Sequence, residues 1–483
     1  MKKALCVFAL LLLVTACKTK QPYNTDKLTS TKPNVILFLV DDLGWTDGGV
    51  FGSDLYQTPN IDKLASEGML FTNGYAACTV CSPTRASIMT GKYPAKLHLT
   101  DWITGHERPY AKLQIPNWNK KLDLEEITLA EVFKQKGYNT VHIGKWHLGE
   151  DEKYWPENQG FDKNIGGFSA GSPKGDGGKG YFSPYGNPRL KDGFNGEYLT
   201  ERLADEAVTY IKQNKEHPFF MNYWLYNVHM PLQAKKDKIE KYKKLIKEDA
   251  HHINPTYAAM VEHMDDALGN VMTILKETGL EDNTIIVFYS DNGGLVGNNG
   301  RFRLKITDNF PLRSGKGDMY EGGVRVPLIF KWPHKIKAGT VNSTIAISPD
   351  MFPTLLNLVD KNTIMPPDID GIDLSSVLLE NTELERSAIY WHYPHYHTEG
   401  AQPYSAIRKG DWKLIQIFEN NEIELFNLKE DLGETNNVAS QYPEKTKELL
   451  SNLENWRVTV KAQMPTPNKN YNPEKEALGS PKK

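Results

Sequence analysis

Cysteine is scarce in this sequence, and neither sign of charge is in large excess. The cysteines are Cys6, Cys17, Cys78 and Cys81, and a chain of 483 residues can bury a large core without disulfides. Lysine and arginine total 57 against 60 aspartates and glutamates. Because binding to a phosphate backbone requires a strong basic excess, we expect no nucleic-acid partner. Internal repeats are absent from the sequence, as is a stretch that would span a membrane in the mature chain.

The first residues have the pattern of an export signal. A positive start, Met1-Lys2-Lys3, precedes an apolar run that ends in small residues, which predicts a signal peptide over residues 1–16. The ending Val14-Thr15-Ala16-Cys17 resembles a bacterial lipobox, in which lipid is attached to the cysteine. We therefore expect an exported protein anchored to the cell envelope through lipid on Cys17, with residues 17–32 as a tether. The alternative is a chance cysteine beside an ordinary cleavage site.

Apolar runs rich in β-branched residues alternate with helical patterns through most of the chain. The runs cover residues 34–40, 138–143, 219–226 and 284–289. Helical patterns occur at 128–136, 201–214 and 255–278. This alternation predicts an α/β fold with a large, mostly parallel sheet flanked by helices, over residues 33–375.

The pattern changes after residue 373. Short strands are predicted at 406–409, 412–418 and 423–427, and a helix at 442–463. They predict a smaller C-terminal domain over residues 376–465, built from an antiparallel sheet and a helix. The proline-, asparagine- and lysine-rich end from Met464 is predicted to be a loose tail, which we assign to residues 466–483.

Polar residues that carry chemistry follow the predicted strands. Taken singly, each has an ordinary explanation, because paired aspartates often form turns and lone histidines are often structural. The carboxyl ends of parallel strands meet at one sheet edge, however, so we expect the set to converge. It consists of Asp41, Asp42, Cys81, Arg85, Lys145, His147, His229, Asp291, Asn292 and Lys316.

Two kinds of side chain make up this set. Three carboxylates and an amide oxygen are ligands for a hard cation such as Ca²⁺ or Mg²⁺. The lysines, arginine and histidines suit a tetrahedral oxyanion. Together they point to the hydrolysis of sulfate or phosphate esters, and at this stage either element remains open.

The segment Cys81-Ser82-Pro83-Thr84-Arg85 resembles the signature of the type I sulfatases, although Thr84 stands where serine is commoner. Further family-like segments, in the family's order, cover roughly residues 33–332; they include NVILFLVDDLGW, GKWHLG, YSDNGG and GKGDMYEGGVRVP. The resemblance implies an alkaline-phosphatase-like fold and a formylglycine-generating enzyme that oxidises Cys81. A disulfide or redox pair between Cys78 and Cys81 is the competing interpretation, and Cys78 is otherwise expected to be a buried small residue.

The resemblance also implies roles for the site residues. Asp41, Asp42, Asp291, Asn292 and the modified Cys81 would hold one calcium ion. One hydroxyl of the formylglycine hydrate would attack sulfur, and the second would lose its proton and eject sulfate. Arg85 would steady the hydrate, while Lys145 and Lys316 would bind sulfate oxygens. His147 would be the base for sulfate release, and His229, with Lys316, would donate a proton to the leaving oxygen.

The substrate is less well defined by the sequence. The ring-rich run at residues 390–397 predicts sugar contacts by His392, Tyr393 and His395, or alternatively packing between the two domains. Asp101, Trp102 and His106 are further candidates. The lysine- and asparagine-rich composition and the lipobox resemble marine Bacteroidetes enzymes that degrade ulvan, carrageenan or fucan, so we expect a sulfated algal oligosaccharide as substrate.

Three alternatives remain open from the sequence. One is a sulfatase of glycosaminoglycans. Another is a formylglycine-dependent phosphodiesterase or phosphonate monoester hydrolase, and a two-metal phosphatase would need a second ligand set that we do not find. The last is a non-catalytic glycan-binding lipoprotein, which would not need Cys81, Arg85 or the lysines.

Overall fold

An eight-stranded sheet forms the centre of the computed structural model, which describes residues 32–175, 177–297 and 304–476. The predicted signal peptide, Cys17 and the tether up to residue 31 lie outside the described residues, as do residues 477–483 of the predicted tail. The described residues belong to one compact unit, Lys32–Lys483. The predicted boundary near residue 375 therefore stays a prediction.

The strands are numbered in chain order. They are β1 (Asn34–Val40), β2 (Met69–Phe71), β3 (Gly74–Tyr75), β4 (Leu113–Gln114), β5 (Asn139–Gly144), β6 (Lys163–Ile165), β7 (Phe219–Trp224), β8 (Thr284–Ser290), β9 (Leu328–Lys331), β10 (Thr340–Asn342), β11 (Ala346–Ile347), β12 (Ile389–Tyr393), β13 (Tyr404–Lys409), β14 (Trp412–Ile417), β15 (Glu422–Asn427) and β16 (Thr466–Pro467).

The α-helices are numbered in the same way. They are α1 (Pro59–Ser66), α2 (Cys81–Thr90), α3 (Pro94–Leu97), α4 (Leu129–Gln135), α5 (Leu199–Gln213), α6 (Lys236–Lys243), α7 (Pro255–Glu277), α8 (Glu321–Val324), α9 (Met351–Val359), α10 (Ser375–Glu380) and α11 (Pro443–Thr459). Among these described helices, none combines the length and apolar character that crossing a membrane requires.

The large sheet has the strand order β10-β2-β9-β8-β1-β7-β5-β6. Strands β8, β1, β7, β5 and β6 run parallel, whereas β9 is antiparallel to both of its neighbours. Every residue of β1 is buried, because its apolar side chains meet packed elements on both faces of the sheet. The predicted mixed, mostly parallel α/β fold is confirmed, and the four predicted strands correspond to β1, β5, β7 and β8.

Two groups of helices flank this sheet. Helices α1, α5 and α6 contact α7, while α3, α4 and α9 contact α2. Helix α4 begins with a capping box, in which Thr128 and Glu131 exchange side-chain hydrogen bonds with backbone amides. Helix α7 begins at Pro255 after Asn254, whose side-chain oxygen accepts hydrogen bonds from two amides of the first turn.

The predicted C-terminal antiparallel sheet is formed by β12-β13-β14-β15. Alternation along these strands gives the sheet two apolar faces. On one face, Ile407, Leu414 and Leu425 pack against α11. On the other, Trp391 and Ile415 belong to a cluster that includes Val80, the residue that precedes α2. This sheet therefore supports the segment that carries Cys81.

The end of the chain differs from the sequence prediction. Strand β16 pairs with β4 in antiparallel register, and the amide of Asn468 donates a hydrogen bond to the Lys112 carbonyl. The prediction of a loose tail from Met464 is therefore wrong for this stretch. Its partners lie more than three hundred residues away, so a local pattern does not report them.

Candidate active site

The carboxylates that follow β1 and β8 are brought together because these strands are adjacent and parallel, with Val40 opposite Ser290. The Asp42 amide donates to Asp291 Oδ1 at 3.2 Å. Asn292 Nδ2 donates to Asp42 Oδ1 at 2.8 Å. Asp41, Asp42, Asp291 and Asn292 are all buried, so a dense group of oxygens lies at this sheet edge, where the sequence predicts it.

Three cations surround these oxygens. Lys145, which follows β5, places Nζ 2.6 Å from Asp41 Oδ2. Lys316 places Nζ 2.7 Å from Asp42. Arg85 of α2 donates from Nε to Asp291 Oδ2 at 2.8 Å. Because buried carboxylates are costly unless they are paired, this arrangement stabilises the charges that the sheet edge collects.

The charged groups of the site change the pKa values of Asp41 and Asp42. Burial and the two neighbouring aspartates raise the pKa of Asp41, against the influence of Lys145 and Arg85. Burial also acts to raise the pKa of Asp42, but the opposing attraction of Lys316, His229 and Lys145 dominates and the pKa falls below its usual range. Asp42 is therefore ionised at neutral pH.

The oxygen group meets the requirements of a cation site. Although buried, Asp41 Oδ1 and Asn292 Oδ1 accept no hydrogen bond from the described residues, and a metal ion would satisfy such atoms. Ligand atoms of Asp41, Asp42 and His229 lie within 4.8 Å of one another. Carboxylate and amide oxygens are the ligands of hard divalent cations. The residues present thus fit a metal of this class.

Cys81 is the first residue of α2 and faces His147. Its Sγ lies 3.3 Å from His147 Nδ1, and His147 Nε2 donates a hydrogen bond to the Ile103 carbonyl. Burial, with Lys145 second, holds the pKa of His147 well below its usual value. The imidazole is therefore neutral, and its Nδ1 lone pair points to the thiol.

The thiol itself is protonated, because burial raises the pKa of Cys81 against the attraction of Lys145 and Lys316. Cys78 is likewise a buried free thiol, as expected from the sequence. The structure contains no disulfide between Cys78 and Cys81, which contradicts the alternative interpretation of these residues as a disulfide.

Ser82 connects the start of α2 to two neighbouring backbone segments, a role that was not predicted from the sequence. Its hydroxyl donates to the His147 carbonyl at 2.9 Å and accepts from the Ile103 amide at 3.1 Å. The residue next to Cys81 therefore holds both the His147 turn and the loop that follows Asp101. No local pattern signals such a contact.

His229 lies after β7, on the other side of the acidic group. Its Nδ1 donates to the Met230 carbonyl at 2.7 Å, which leaves Nε2 directed at Asp42 Oδ2, 3.7 Å away. Burial, followed by the repulsion of Lys316, lowers the pKa of His229 to about 3. The ring is therefore neutral in the substrate-free site.

A cavity of about 610 Å³ opens over these residues. Cys81, His147, His229 and Lys316 line it together with Trp102, which the sequence analysis names as a substrate contact. The rest of the wall lies outside the predicted site residues. That part is formed by Ile103, Thr104, Glu150, Ser169, Ala170, Gly171, Ser172, Met230, Pro231, His397 and Thr398.

The remaining predicted sugar contacts lie elsewhere. His392 Nδ1 lies 2.7 Å from Ser405 Oγ and its Nε2 lies 2.9 Å from the Gln463 carbonyl. The Tyr393 hydroxyl donates to Asp101 Oδ1 at 2.8 Å. His395 Nε2 is 2.8 Å from Thr100 Oγ1. These three side chains and Asp101 are buried and do not line the cavity over Cys81. Tyr393 and His395 join the end of β12 and the segment after it to the loop at Thr100 and Asp101.

Comparison with known proteins agrees with this geometry. The profile of the family described as Sulfatase matches residues 33–361, and that of the N-sulphoglucosamine sulphohydrolase C-terminal region matches residues 315–461. A sulfatase of Formosa agariphila is 32% identical over 89% of this chain and 89% of its own length. Human N-acetylgalactosamine-6-sulfatase is 31% identical over 74% of this chain and 68% of its own length.

The solved structures include a similar fold. The crystal structure of Ps i-CgsB in complex with k-i-k-neocarrahexaose is similar with a TM-score of 0.73 and 29% identity, over 88% of this chain and 93% of that one. The family profile covers more than half of the present sequence, including each residue of the predicted catalytic set. The chain therefore belongs to the sulfatase family and is a sulfuric ester hydrolase.

Proposed function

We propose that the protein hydrolyses sulfate esters on carbohydrate, using formylglycine made from Cys81 and one bound calcium ion. The observation that carries this proposal is the position of Cys81: its Sγ lies 3.3 Å from His147 Nδ1, on a cavity that Lys316 and His229 also line. The Cys81 Sγ marks where the hydroxyl oxygens of the formylglycine hydrate would lie, because these oxygens are bonded to the Cβ that carries Sγ in cysteine. A formylglycine hydrate there would supply one hydroxyl to attack sulfur and a second to release sulfate.

Asp41, Asp42, Asp291 and Asn292 are proposed to hold the calcium, which would polarise a sulfate oxygen when bound. Lys145 and Lys316, which contact Asp41 and Asp42, would attract the remaining oxygens of the sulfate group. Arg85 lies behind this layer and is fully buried. Its contact with Asp291 orients the carboxylate, and it adds positive charge beside the hydrate.

The two histidines are proposed to move protons on opposite sides of the sulfate. Neutral His147, with its lone pair toward residue 81, can accept the proton of the second hydroxyl. His229, assisted by Lys316, would give a proton to the leaving oxygen. Lys316 helps to lower the pKa of His229 in the substrate-free site, and the negative charge of a bound sulfate ester would offset that effect.

The substrate proposed is a sulfated oligosaccharide from an algal polymer of the ulvan, carrageenan or fucan type. The similar structure Ps i-CgsB was solved with a neocarrahexaose, which supports a carrageenan-like substrate. The similar human protein is named for N-acetylgalactosamine 6-sulfate, so a glycosaminoglycan is the second candidate. Trp102 and His397 on the cavity wall supply rings that can contact a sugar.

Maturation and location are part of the same proposal. A formylglycine-generating enzyme would act on Cys81 in its Cys-x-Pro-x-Arg segment. Lipid on Cys17 would hold the exported protein at the cell envelope, where polymer fragments arrive from outside.

The test is to express the chain with a formylglycine-generating enzyme, measure conversion of Cys81 by peptide mass, and assay sulfate release. Substrates would be oligosaccharides of ulvan, carrageenan, fucan and chondroitin 6-sulfate, with an aryl phosphodiester in parallel. Sulfate release that disappears in Cys81→Ala and persists in Cys78→Ala supports the proposal. Full conversion with phosphate release alone would assign the protein to the phosphodiesterase class instead.

A further inference from the structure

A second and larger cavity lies beside the one over Cys81. Its volume is about 980 Å³, within the range of about 300–1,000 Å³ that small-molecule sites occupy. Its lining includes residues 106–109 together with Trp118 and Lys120. None of the residues assigned above to catalysis or metal binding belongs to it.

The two cavities are continuous along one loop. Trp102, Ile103 and Thr104 line the cavity over Cys81, and Thr104 also belongs to the larger one. The rings of Trp102 and His106 lie nearly parallel across this boundary, with centroids 6.2 Å apart. A chain-like ligand that leaves the first cavity past Thr104 would therefore enter the second.

The second cavity is lined by two cations, Arg108 and Lys120, and by one carboxylate, Glu107. Arg108 donates one hydrogen bond, to the His397 carbonyl at 3.3 Å, and forms no ion pair within the described part of the chain. Lys120 likewise forms none there, although its charge acts to lower the pKa of the buried Asp101. Other cations in the described part of the chain do form ion pairs, for example Lys92 with Glu126 at 2.6 Å. Arg108 and Lys120 thus remain available to an anion.

An aromatic surface accompanies these cations. The half-buried Trp118 has Lys120 Nζ 5.5 Å from its ring centroid, and the His395 ring centroid also lies 5.5 Å away. An indole ring that is packed in place beside a cation can contact a sugar ring that bears an anionic group.

Residues that follow β16 also line this cavity. Asn468 and Asn470 line the cavity, and Asn468 Nδ2 donates to the carbonyls of Pro109 at 3.0 Å and Ala111 at 2.7 Å. The pairing of β16 with β4 thus holds the wall in place.

We infer that the second cavity binds a neighbouring anionic sugar of the same saccharide chain, with Lys120 and Arg108 contacting its sulfate or carboxylate and Trp118 its ring. This inference rests on the proposed function and deepens it, because it makes the substrate an oligosaccharide that extends beyond the sugar being desulfated. It predicts that affinity grows with chain length and that the growth depends on Lys120.

Binding can be measured without turnover. Isothermal titration calorimetry would use the Cys81→Ala protein with di-, tetra- and hexasaccharides of carrageenan, ulvan, fucan and chondroitin 6-sulfate. In at least one series, the hexasaccharide should bind about tenfold or more tightly than the disaccharide. Lys120→Gln, made in the same background, should remove most of this gain.

Lys163→Gln is the matched control, because Lys163 also lies over an aromatic ring, with Nζ 5.9 Å from the Tyr210 centroid, and lines neither cavity. The inference is overturned if no series shows a gain with length. It is also overturned if the gain survives both Lys120→Gln and Arg108→Gln, or if Lys163→Gln removes it equally. Length-dependent binding without sulfate release by the modified enzyme would instead refute the proposed function alone.

Discussion

The guanidinium of Arg85 contacts a single oxygen of Asp291 twice, from Nε at 2.8 Å and from Nη2 at 2.7 Å. Both side chains are fully buried, and Arg85 Nη1 also donates to the Lys145 carbonyl at 2.9 Å. One arginine from α2 therefore ties the carboxylate after β8 to the backbone after β5. The site is stabilised across three elements by a residue that does not line the cavity.

Removing Arg85 should destabilise the protein. Arg85→Gln leaves Asp291 buried without its cation, a change that costs about 3–5 kcal/mol of unfolding free energy. The measurement is denaturant unfolding of the metal-free protein. Lys243→Gln, which breaks an exposed pair with Glu240, should change the free energy by less than about 1 kcal/mol. Equal effects of the two variants would contradict the structural role given to Arg85.

Calcium should stabilise the folded protein through the acidic group at the sheet edge. Calcium at 100 times its dissociation constant adds about 2.7 kcal/mol to the unfolding free energy if it binds the folded state alone. Thermal melts after chelation and after calcium return would measure this gain. Asp41→Asn should lose the response, while Asp249→Asn, at an exposed site, should keep it. A response that persists in Asp41→Asn would place the ion elsewhere.

His229→Ala should lower the rate most on substrates with poor leaving groups. If His229 protonates the leaving oxygen, kcat/KM on a sugar sulfate should fall about 100- to 10,000-fold. The loss should be much smaller on 4-nitrophenyl sulfate, whose leaving group needs little protonation. His217→Gln, at an exposed position, is the control. Equal losses on both substrates would indicate that His229 acts in binding the sulfate or the metal instead.

The buried Asp101 should make stability depend on pH. Burial raises the pKa of Asp101 to about 7, against the hydrogen bond from Tyr393, whereas an unfolded aspartate has a pKa of about 3.9. The folded state therefore binds this proton more tightly, so the stability that Asp101 contributes is complete below about pH 4 and is lost as pH rises through 7.

Asp101→Asn removes that dependence. The melting temperature of the variant relative to the parent should increase between pH 5 and pH 8, as measured by thermal melts in matched buffers. A difference that stays constant over this range would show that Asp101 titrates in the folded protein much as it does in the unfolded chain.

The sequence was sufficient for those parts of the fold that depend on local pattern. Strands β1 and β8 are continuous apolar runs, and their parallel pairing explains why Asp41 and Asp291 could be expected at one edge. The short strands β2, β9 and β10 have three or four residues each, too few for a periodicity to be recognised. The sequence therefore did not predict β9 or its antiparallel orientation in the sheet.

The walls of the site depend on contacts between distant residues. Tyr393 and Asp101 meet although they are 292 positions apart, and a ring-rich strand segment predicts sugar binding and packing equally well. In the structure, His392, Tyr393 and His395 are hydrogen-bonded inside the protein, while His397 of the same run lines the cavity. Which residues of the run face outward is set by how the strand ends, and composition does not report it.

The central claim, that sulfate release requires the modified residue 81, is tested most directly by varying the degree of modification. Preparations with different fractions of Cys81 converted to formylglycine, quantified by peptide mass, would be assayed for initial rate on one sulfated oligosaccharide. The account predicts a rate proportional to the converted fraction, with no activity at zero conversion or in Cys81→Ala. Sulfate release that is independent of conversion would contradict it.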